Sequence, residues 1–230
     1  MKSISRILTI TAIFFFIQLT AEAQRRNADK NFSLAFGAGY FQGFVSDDGV
    51  AYDNAIYDPN VGPGVSYFIS FDYHLSESFA IGLGYNGNYA GAEFVRNATV
   101  GEETINGFLV AGAVTNSHIL LNATFQIPGE GIQPFGKLGV GYITQQVENG
   151  DVPLRLTNIV ETEVFPDFKS SGFVVLPELG LRYQSFYLSL AYTLPFDELT
   201  GEDNPDGFVS PGTVSSTGLQ LNLSYRVFLF

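Results

Sequence analysis

Cysteine is absent from the 230-residue sequence, and histidine occurs only twice. Without cysteine the chain has no disulfide, no thiolate metal ligand, no cysteine nucleophile and no lipoprotein-type anchor. Basic residues are scarce as well: 11 Lys and Arg stand against 23 Asp and Glu, which gives a net charge of -12. Because a nucleic-acid site needs a basic surface to neutralise phosphate, we expect no nucleic-acid partner.

Charged residues of both signs make up only 15% of the chain, whereas hydrophobic residues reach 46% and aromatic residues 15%. This apolar content excludes an intrinsically disordered polar chain. Glycine is abundant, with 25 residues. The length fits one domain, and the composition favours a β protein rich in aromatic residues and glycine.

Residues 1–23 have the parts of a secretory signal peptide. A short basic region with Lys2 and Arg6 precedes an apolar run, and Ala-Glu-Ala at 21–23 supplies small residues for cleavage. The run is shorter than the roughly 20 apolar residues of a spanning helix. We therefore predict a cleaved signal over 1–23 and one mature domain over 24–230. No later apolar run reaches helix-spanning length, so membrane insertion of the mature chain would have to use strands.

Alternation of apolar with small or polar residues, typical of strands with two unlike faces, recurs eight times in the mature chain. In the second segment, for example, Phe71 and Tyr73 alternate with Ser70 and Asp72. The eight segments, which we predict as strands, span 31–41, 65–75, 79–90, 114–127, 133–145, 171–183, 186–196 and 218–230.

The connections between these segments alternate in length. Three are short, near 76–78, 128–132 and 184–185, and four exceed twenty residues, at 42–64, 91–113, 146–170 and 197–217. An even number of strands with short turns at one end and long loops at the other predicts an antiparallel up-and-down barrel. This pattern is typical of transmembrane barrels with short periplasmic turns and four long extracellular loops. Within the third loop, residues 154–165 are β-like enough that we expect partial order.

The apolar row of each strand is predicted to face outward, toward lipid. The interior of an eight-stranded barrel is only just wide enough for side chains to fill, and four to six large residues from every strand would overfill it. The charged residues agree, since they fall on the rows of small residues; they are Asp72, Lys137, Glu178, Arg182 and Arg226. One Arg or Lys on the lipid side near the bilayer midplane would cost about 2–4 kcal/mol.

Aromatic residues of the outer rows sort into two belts, as expected at the two lipid–water boundaries. The belt near the long loops contains Tyr40, Tyr67, Tyr85, Tyr142, Phe173 and Tyr192, and the belt near the short turns contains Phe32, Tyr73, Phe79, Phe125, Tyr183, Phe186 and Tyr225. Pro177 lies within a predicted strand that has no free edge, where it removes a backbone donor, so we expect a β-bulge there.

The eight strands, the signal and two sequence patterns together resemble the small outer-membrane β-barrel superfamily, which includes OmpA/OmpX/OmpW-like barrels and the PorT-like barrels of Bacteroidota. One pattern is the Gly-x-Gly-Tyr repeat at 37–40, 82–85 and 139–142, and the other is the terminal Tyr225-Arg226-Val227-Phe228-Leu229-Phe230. Gln24 after the cleavage site is similar to secreted proteins of Bacteroidota.

The resemblance implies an outer-membrane location in a Gram-negative cell, with membrane lipid and lipopolysaccharide as partners. It also implies that the barrel-assembly machinery reads Phe230 as an assembly signal. The spacing departs from the usual one, because counting back in twos from Phe230 gives Phe228, Arg226 and Ser224, so the apolar row is offset by one residue.

Two motifs raise the question of an enzyme or a cofactor. Gly82 to Gly87 fits the G-x-G-x-x-G string, but no helix-forming segment follows it, so small residues facing the barrel interior explain it better. His74-Leu75-Ser76 is similar to the His-x-Ser pair of lipid A deacylase barrels, which lies at the outer-leaflet end and faces lipid. Here His74 is predicted to face inward and Ser76 lies in a short turn. We therefore predict no enzyme, no cofactor and no metal site.

The inward charges predict an interior network. One interpretation is a plug of salt bridges, because buried charges require partners; the other is a gate or a site for a small polar solute. His118 is predicted to be an ordinary lumen residue bonded to neighbours such as Asn116. The many interior glycines leave room for a modest cavity.

Acidic residues concentrate in the four long connections, which contain 17 of the 23 Asp and Glu. The sequence therefore favours a non-enzymatic outer-membrane barrel with a structural or surface-interaction role carried by acidic extracellular loops. Two alternatives remain open: a narrow porin-like channel for small or hydrophobic solutes, and an accessory barrel of a secretion system. A protein partner would bind either the extracellular loops or the periplasmic end.

Overall fold

The structure, a computed structural model, describes residues 31–44, 50–52, 55–100, 103–148, 151–156, 159–164, 168–196, 200–201 and 217–229. The predicted signal peptide at 1–23 and the proposed assembly signal Phe230 lie outside these residues. Nowhere in the described part of the chain is there a helix long and apolar enough to cross a membrane. The regular elements are strands.

Twelve strands follow one another along the described chain. They are β1 (Phe32–Gly43), β2 (Val50–Tyr52), β3 (Ala55–His74), β4 (Phe79–Val100), β5 (Glu103–Gln126), β6 (Ile132–Glu148), β7 (Asp151–Leu156), β8 (Ile159–Val164), β9 (Phe168–Tyr183), β10 (Phe186–Pro195), β11 (Thr200–Gly201) and β12 (Gly218–Phe228).

Eight of these strands close into an antiparallel barrel in the order β1, β12, β10, β9, β6, β5, β4, β3, because β1 pairs with both β12 and β3. The short strands β2 and β11 pair at the edges of β3 and β9, while β7 and β8 form a separate hairpin. The all-β, eight-stranded, up-and-down barrel predicted from the alternation is confirmed.

The strands on one side of the barrel are much longer than predicted. β4 and β5 pair along their whole length, up to Val100 and Glu103, so the predicted loop at 91–113 is mostly a continuation of the hairpin. Residues 92–100 contain no proline or glycine that would end a strand, and pairing satisfies the backbone groups of both strands. β7 and β8 give order to the third loop, as the β-like composition of 154–165 indicated.

Side-chain exposure confirms which face points outward. On the outer rows, Leu179 is 72% exposed, Ile119 68% and Leu83 64%, whereas His118 and Gln220 on the inner rows are fully buried. An apolar surface of this extent on a closed barrel is a surface for hydrocarbon, since soluble monomers rarely expose such large apolar patches. The small and polar residues line the lumen.

Both aromatic belts are present on this outer face. At the long-loop end Tyr142 packs against Phe173, with ring centroids 5.7 Å apart, and its hydroxyl donates to Ser171 Oγ at 2.6 Å. At the short-turn end Phe186 packs against Tyr225 at 5.2 Å. Rings with a polar tip at both ends of the apolar band fit the two boundaries of a bilayer.

The β-bulge expected at Pro177 is wrong. Pro177 pairs with Leu138 within an unbroken register, and on its other side β9 resumes pairing with β10 in the same register. The proline thus removes one donor from the ladder without adding a residue to the strand. The register shifts between β3 and β4 and between β4 and β5 instead, next to Val61 and Arg96.

Candidate functional site in the barrel lumen

Two ion pairs lie inside the barrel near its short-turn end. Lys137 Nζ lies 2.9 Å from Glu178 Oε2, and the two residues are direct partners in the β6–β9 register. Arg226 Nη2 lies 3.2 Å from Asp72 Oδ2, which also accepts a hydrogen bond from Ser70. All four charged side chains are nearly or fully buried, and buried charges are stable only with such partners.

The fifth predicted network residue, Arg182, has neutral hydrogen-bond partners among the described residues. Its Nε donates to the Gln184 carbonyl at 2.8 Å, and its Nη1 donates to Gln126 Oε1 at 3.2 Å. Its guanidinium also lies over the Phe228 ring, 5.4 Å from the centroid. The structure therefore joins four of the five residues in two pairs and leaves Arg182 at the mouth. We call these five residues, together with Tyr187, the charged cluster.

Two aromatic rings hold the cations of this cluster, and the sequence did not single them out. Tyr187 lies between two guanidinium groups, 4.5 Å from Arg226 and 5.6 Å from Arg182, and Phe68 lies 5.2 Å below the Lys137 ammonium. Cation–π contacts gain strength when desolvated. The alternation along the strands could have identified them. Tyr187, for example, lies between the outward-facing Phe186 and Leu188 and therefore faces inward.

At three interior glycines the space beside the backbone is taken by a neighbouring side chain. A side chain at Gly82 would meet Asp72 Oδ1 within contact distance, and side chains at Gly84 and Gly139 would meet the Asn122 amide. At each of these glycines, a neighbouring polar side chain therefore occupies the space that a Cβ would need.

Above the charged cluster, toward the long loops, amide side chains bridge the lumen. Asn86 donates to Gln220 at 3.0 Å across the barrel, Ser66 donates to Asn222 at 2.6 Å, and Gln145 donates to Asn116 at 3.0 Å. These residues are buried. With Asn88 and His118 they form what we call the amide cluster, an uncharged polar layer.

His118 is buried as expected, but its partner is different from the one predicted. Its Nδ1 contacts the backbone carbonyl of Asn86 at 3.1 Å, whereas Asn116 accepts from Gln145. The difference follows from the register, in which His118 faces Asn86 directly on β4.

The His74 and Ser76 side chains point to different partners. His74 is buried in the lumen, where its Nε2 contacts Ser33 Oγ at 2.8 Å and its ring packs on Phe228 at 5.2 Å. The Ser76 hydroxyl instead accepts the backbone N–H groups of Ser78 and Phe79, at 3.2 and 3.0 Å. Ser76 thus stabilises the turn, and neither residue faces lipid.

Large apolar residues inside the barrel were also missed by the sequence reasoning. Leu120, Ile143, Val174, Leu176 and Ala191 form a buried cluster against the barrel wall. Nearer the long loops Phe41 is 1% exposed, and its ring lies where any side chain at Gly218 would be. The period-two alternation along the strands places these residues on the inner face. They are hard to recognise in the sequence, because they are single apolar residues within rows of glycine and asparagine.

Several buried polar atoms of the lumen have no hydrogen-bond partner in the structure. They include both amide atoms of Asn88, His118 Nε2, the Tyr187 hydroxyl and two guanidinium nitrogens of Arg226. No three His, Asp or Glu side chains of the described segments come together in a way that could hold a metal ion. The lumen is thus a polar but largely filled interior.

Comparison with known proteins identifies the fold. No protein-family model matches the sequence, and no curated protein matches it. Among solved structures, the outer membrane protein OprG from Pseudomonas aeruginosa is similar over 87% of this chain and 98% of its own, with a TM-score of 0.50 and 14% identity.

Two more solved barrels are similar over 86% of this chain. Ail, the attachment invasion locus protein of Yersinia pestis, solved in complex with the heparin analogue sucrose octasulfate, is covered over 99% of its length, with a TM-score of 0.41 and 16% identity. The N-terminal β-barrel domain of Pseudomonas aeruginosa OprF is covered over 98%, with a TM-score of 0.38 and 14% identity. The similarity to OprG shows that the chain has the fold of a small outer-membrane β-barrel, and the apolar outer belt is the surface that such a barrel presents to lipid.

Proposed function

We propose that this barrel is a non-enzymatic outer-membrane protein with a closed lumen, which acts through the surface that it presents beyond the membrane. The observation that carries the proposal is the filling of the lumen. Charged, amide and apolar side chains follow one another along the barrel axis, and nine of the largest are less than 2% exposed. A solute would have to displace several buried layers to pass.

The long-loop side offers much more surface than the short-turn side. β4 has 22 residues and β5 has 24, whereas a strand needs about 9–11 residues to cross a bilayer. About half of this hairpin therefore extends past the apolar band. Because most of the chain's acidic residues lie in the long connections, we propose that the exterior surface is negatively charged and contacts a protein partner, or lipopolysaccharide through bridging divalent cations.

The closed lumen can be tested electrically. Purified barrel, checked for folding by heat-modifiable gel migration, is reconstituted in planar bilayers. We expect no discrete currents from the wild type, and we expect currents from a Phe41→Ala/Gln220→Ala variant, which removes two large buried side chains that are direct partners in the β1–β12 register. The matched control, Leu121→Ala/Leu223→Ala, removes comparable volume from the lipid face and should stay silent. Currents from the wild type would overturn the closed-lumen proposal.

The surface role has its own test, with shortened variants of the β4–β5 hairpin. Removal of residues 92–111 takes out Glu93, Glu102 and Glu103 with only one basic residue, Arg96. It keeps the spanning part of both strands, up to the Gly91–Ala113 pair, so the barrel should fold and migrate as before. Binding of the acidic surface to a polycationic probe, polylysine, should then fall. Equal binding by the shortened barrel and the wild type would contradict a role for the hairpin.

A narrow channel is the second candidate, and the unpartnered polar atoms of Asn88, His118 and Arg226 favour it. Buried polar atoms without protein partners are often bonded to internal water, and a line of waters could conduct small ions. The same bilayer recording separates the two candidates, since discrete wild-type currents reduced by Asn88→Leu would support the channel.

A further inference from the structure

Two cavities meet at the guanidinium of Arg182, at the short-turn end that faces the periplasm in barrels of this kind. The first has a volume of about 220 Å³ and is lined by His74, Gln126 and Phe228, among others. The second has a volume of about 310 Å³ and extends toward Tyr183 and Gln184. Arg182 and Gln133 border both.

The guanidinium is held in place but keeps unused donors. A guanidinium has five N–H donors, and Arg182 donates to two acceptors, the Gln184 carbonyl and Gln126 Oε1. The rings of Phe228 and Tyr187 lie against it at 5.4 and 5.6 Å. Because these contacts fix its plane, the remaining N–H groups are preorganised for an acceptor that enters from the cavities.

The charge balance of the lumen also calls for an anion at this point. Lys137 and Arg226 each have a carboxylate partner, whereas no Asp or Glu among the described residues lies within ion-pair distance of Arg182. The one carboxylate that lines the first cavity belongs to Glu77, whose side chain is exposed in the turn and solvated. Within the described segments, the Arg182 charge is therefore left without a counter-charge.

We propose that the short-turn mouth binds a small organic carboxylate from the periplasmic side, with Arg182 as its charged partner. The planar guanidinium fork pairs with a carboxylate through two parallel hydrogen bonds. Ordinary small-molecule sites have volumes of about 300–1,000 Å³, so cavities of this size suit a ligand of a few heavy atoms. Gln133, which borders both cavities, is the neutral polar group next to the site.

The proposal is tested on the full barrel, labelled with ¹⁵N-arginine and refolded in a zwitterionic detergent without phosphate. Succinate is the probe, and the side-chain Nε–H signals of Arg182 and Arg226 are followed by NMR. We expect a saturable shift of the Arg182 signal and a much smaller change at Arg226, whose carboxylate partner is already present. The wild-type titration needs no variant, so it can overturn the proposal by itself if the Arg182 signal does not saturate.

Variants then assign the binding energy. Arg182→Gln should abolish binding, and Arg182→Lys, which keeps the charge but loses the fork, should weaken it by about tenfold. Lys169→Gln is the matched control, because it removes one exposed positive charge from the other end of the same strand and should bind as the wild type does. Glu77→Gln should bind more tightly, since it removes the carboxylate that lines the first cavity.

Two outcomes would show that the assignment is wrong. Equal loss of binding in Arg182→Gln and Lys169→Gln would mean that succinate only senses the overall charge. A shift at Arg182 that requires phosphatidylglycerol in nanodiscs, with no response to succinate, would assign the cation to a lipid headgroup and overturn the soluble carboxylate. Heat-modifiable migration of every variant confirms that each one is folded.

Discussion

The charged cluster and the amide cluster occupy the same lumen, but their buried polar groups differ in the partners that they have. In the charged cluster Lys137 and Arg226 each contact a carboxylate directly. In the amide cluster Asn88 is fully buried with neither amide atom bonded to a described residue. The cost of isolating a charge is far larger than that of isolating an amide. Each charged residue of the two ion pairs therefore keeps one charged partner, although some of its atoms, such as Asp72 Oδ1, are not hydrogen-bonded, whereas the neutral Asn88 amide is buried with no partner among the described residues.

The largest effect is expected from Asp72→Ala. This change leaves Arg226 buried and unpaired, and breaking one partner of a buried ion pair costs about 3–5 kcal/mol. The free energy of unfolding by urea in lipid vesicles measures it, with far-ultraviolet circular dichroism as the signal because the chain has no tryptophan. The double variant Asp72→Ala/Arg226→Met should recover most of the loss. No recovery would mean that the two side chains act independently.

Lys137→Met should give a somewhat smaller loss, about 3 kcal/mol, because the Lys137 side chain keeps 11% exposure and Glu178 is left next to that opening. Replacement of both residues, Lys137→Met/Glu178→Leu, should return the stability to within about 1 kcal/mol of the wild type, since a buried pair is often no better than apolar residues of similar volume. If urea unfolding showed the single and double variants to be equally unstable, Lys137 and Glu178 would not be acting only as partners of each other.

Within the amide cluster, Asn222→Leu should cost about 1–3 kcal/mol, because it leaves the buried Ser66 hydroxyl without its acceptor. The same unfolding experiment applies, and Ser66→Ala combined with Asn222→Leu provides the cycle that isolates the bond. If the double variant were as unstable as the sum of the two single ones, the hydrogen bond would contribute nothing.

The smallest effect is expected from Asn88→Leu, a change of similar shape within the same cluster. Since no described residue bonds to the Asn88 amide, its loss should change the unfolding free energy by less than about 1 kcal/mol. A loss as large as that of Asn222→Leu would show that the amide has strong partners, such as ordered water, and would remove the contrast within the cluster.

The fold was predictable because its signal is repeated. Each strand carries the same period-two alternation, and a single Arg or Asp on the wrong row would have been costly in lipid. The long connections were harder, since residues beyond the apolar band no longer need unlike faces. The continuation of β4 to Val100 is therefore visible only through the absence of residues that end strands. The bulge predicted at Pro177 was wrong because a proline only removes one backbone N–H from the ladder. That loss does not require an extra residue in the strand.

The lumen was predictable only in part. The five charged residues were found, since charge on a barrel strand must face inward, and the structure shows which of them meet. Their partners depend on register and on contacts across the barrel, which the sequence does not encode locally. The contacts of Arg182 with Gln126 and Phe228, for example, join residues from three strands. Leu120 and Ile143 were missed because isolated apolar residues do not mark a face.

The seam between β1 and β12 has a consequence for biogenesis. These two strands come from opposite ends of the described chain, yet they share an unbroken ladder from Ser33–Phe228 to Gly43–Gly218. Until β12 arrives, both β1 and β10 present unpaired backbone edges, which hydrocarbon does not tolerate. Insertion into the bilayer and pairing of β12 with β1 and β10 must therefore be coupled. A chain truncated before residue 218 would have no stable conformation in the membrane.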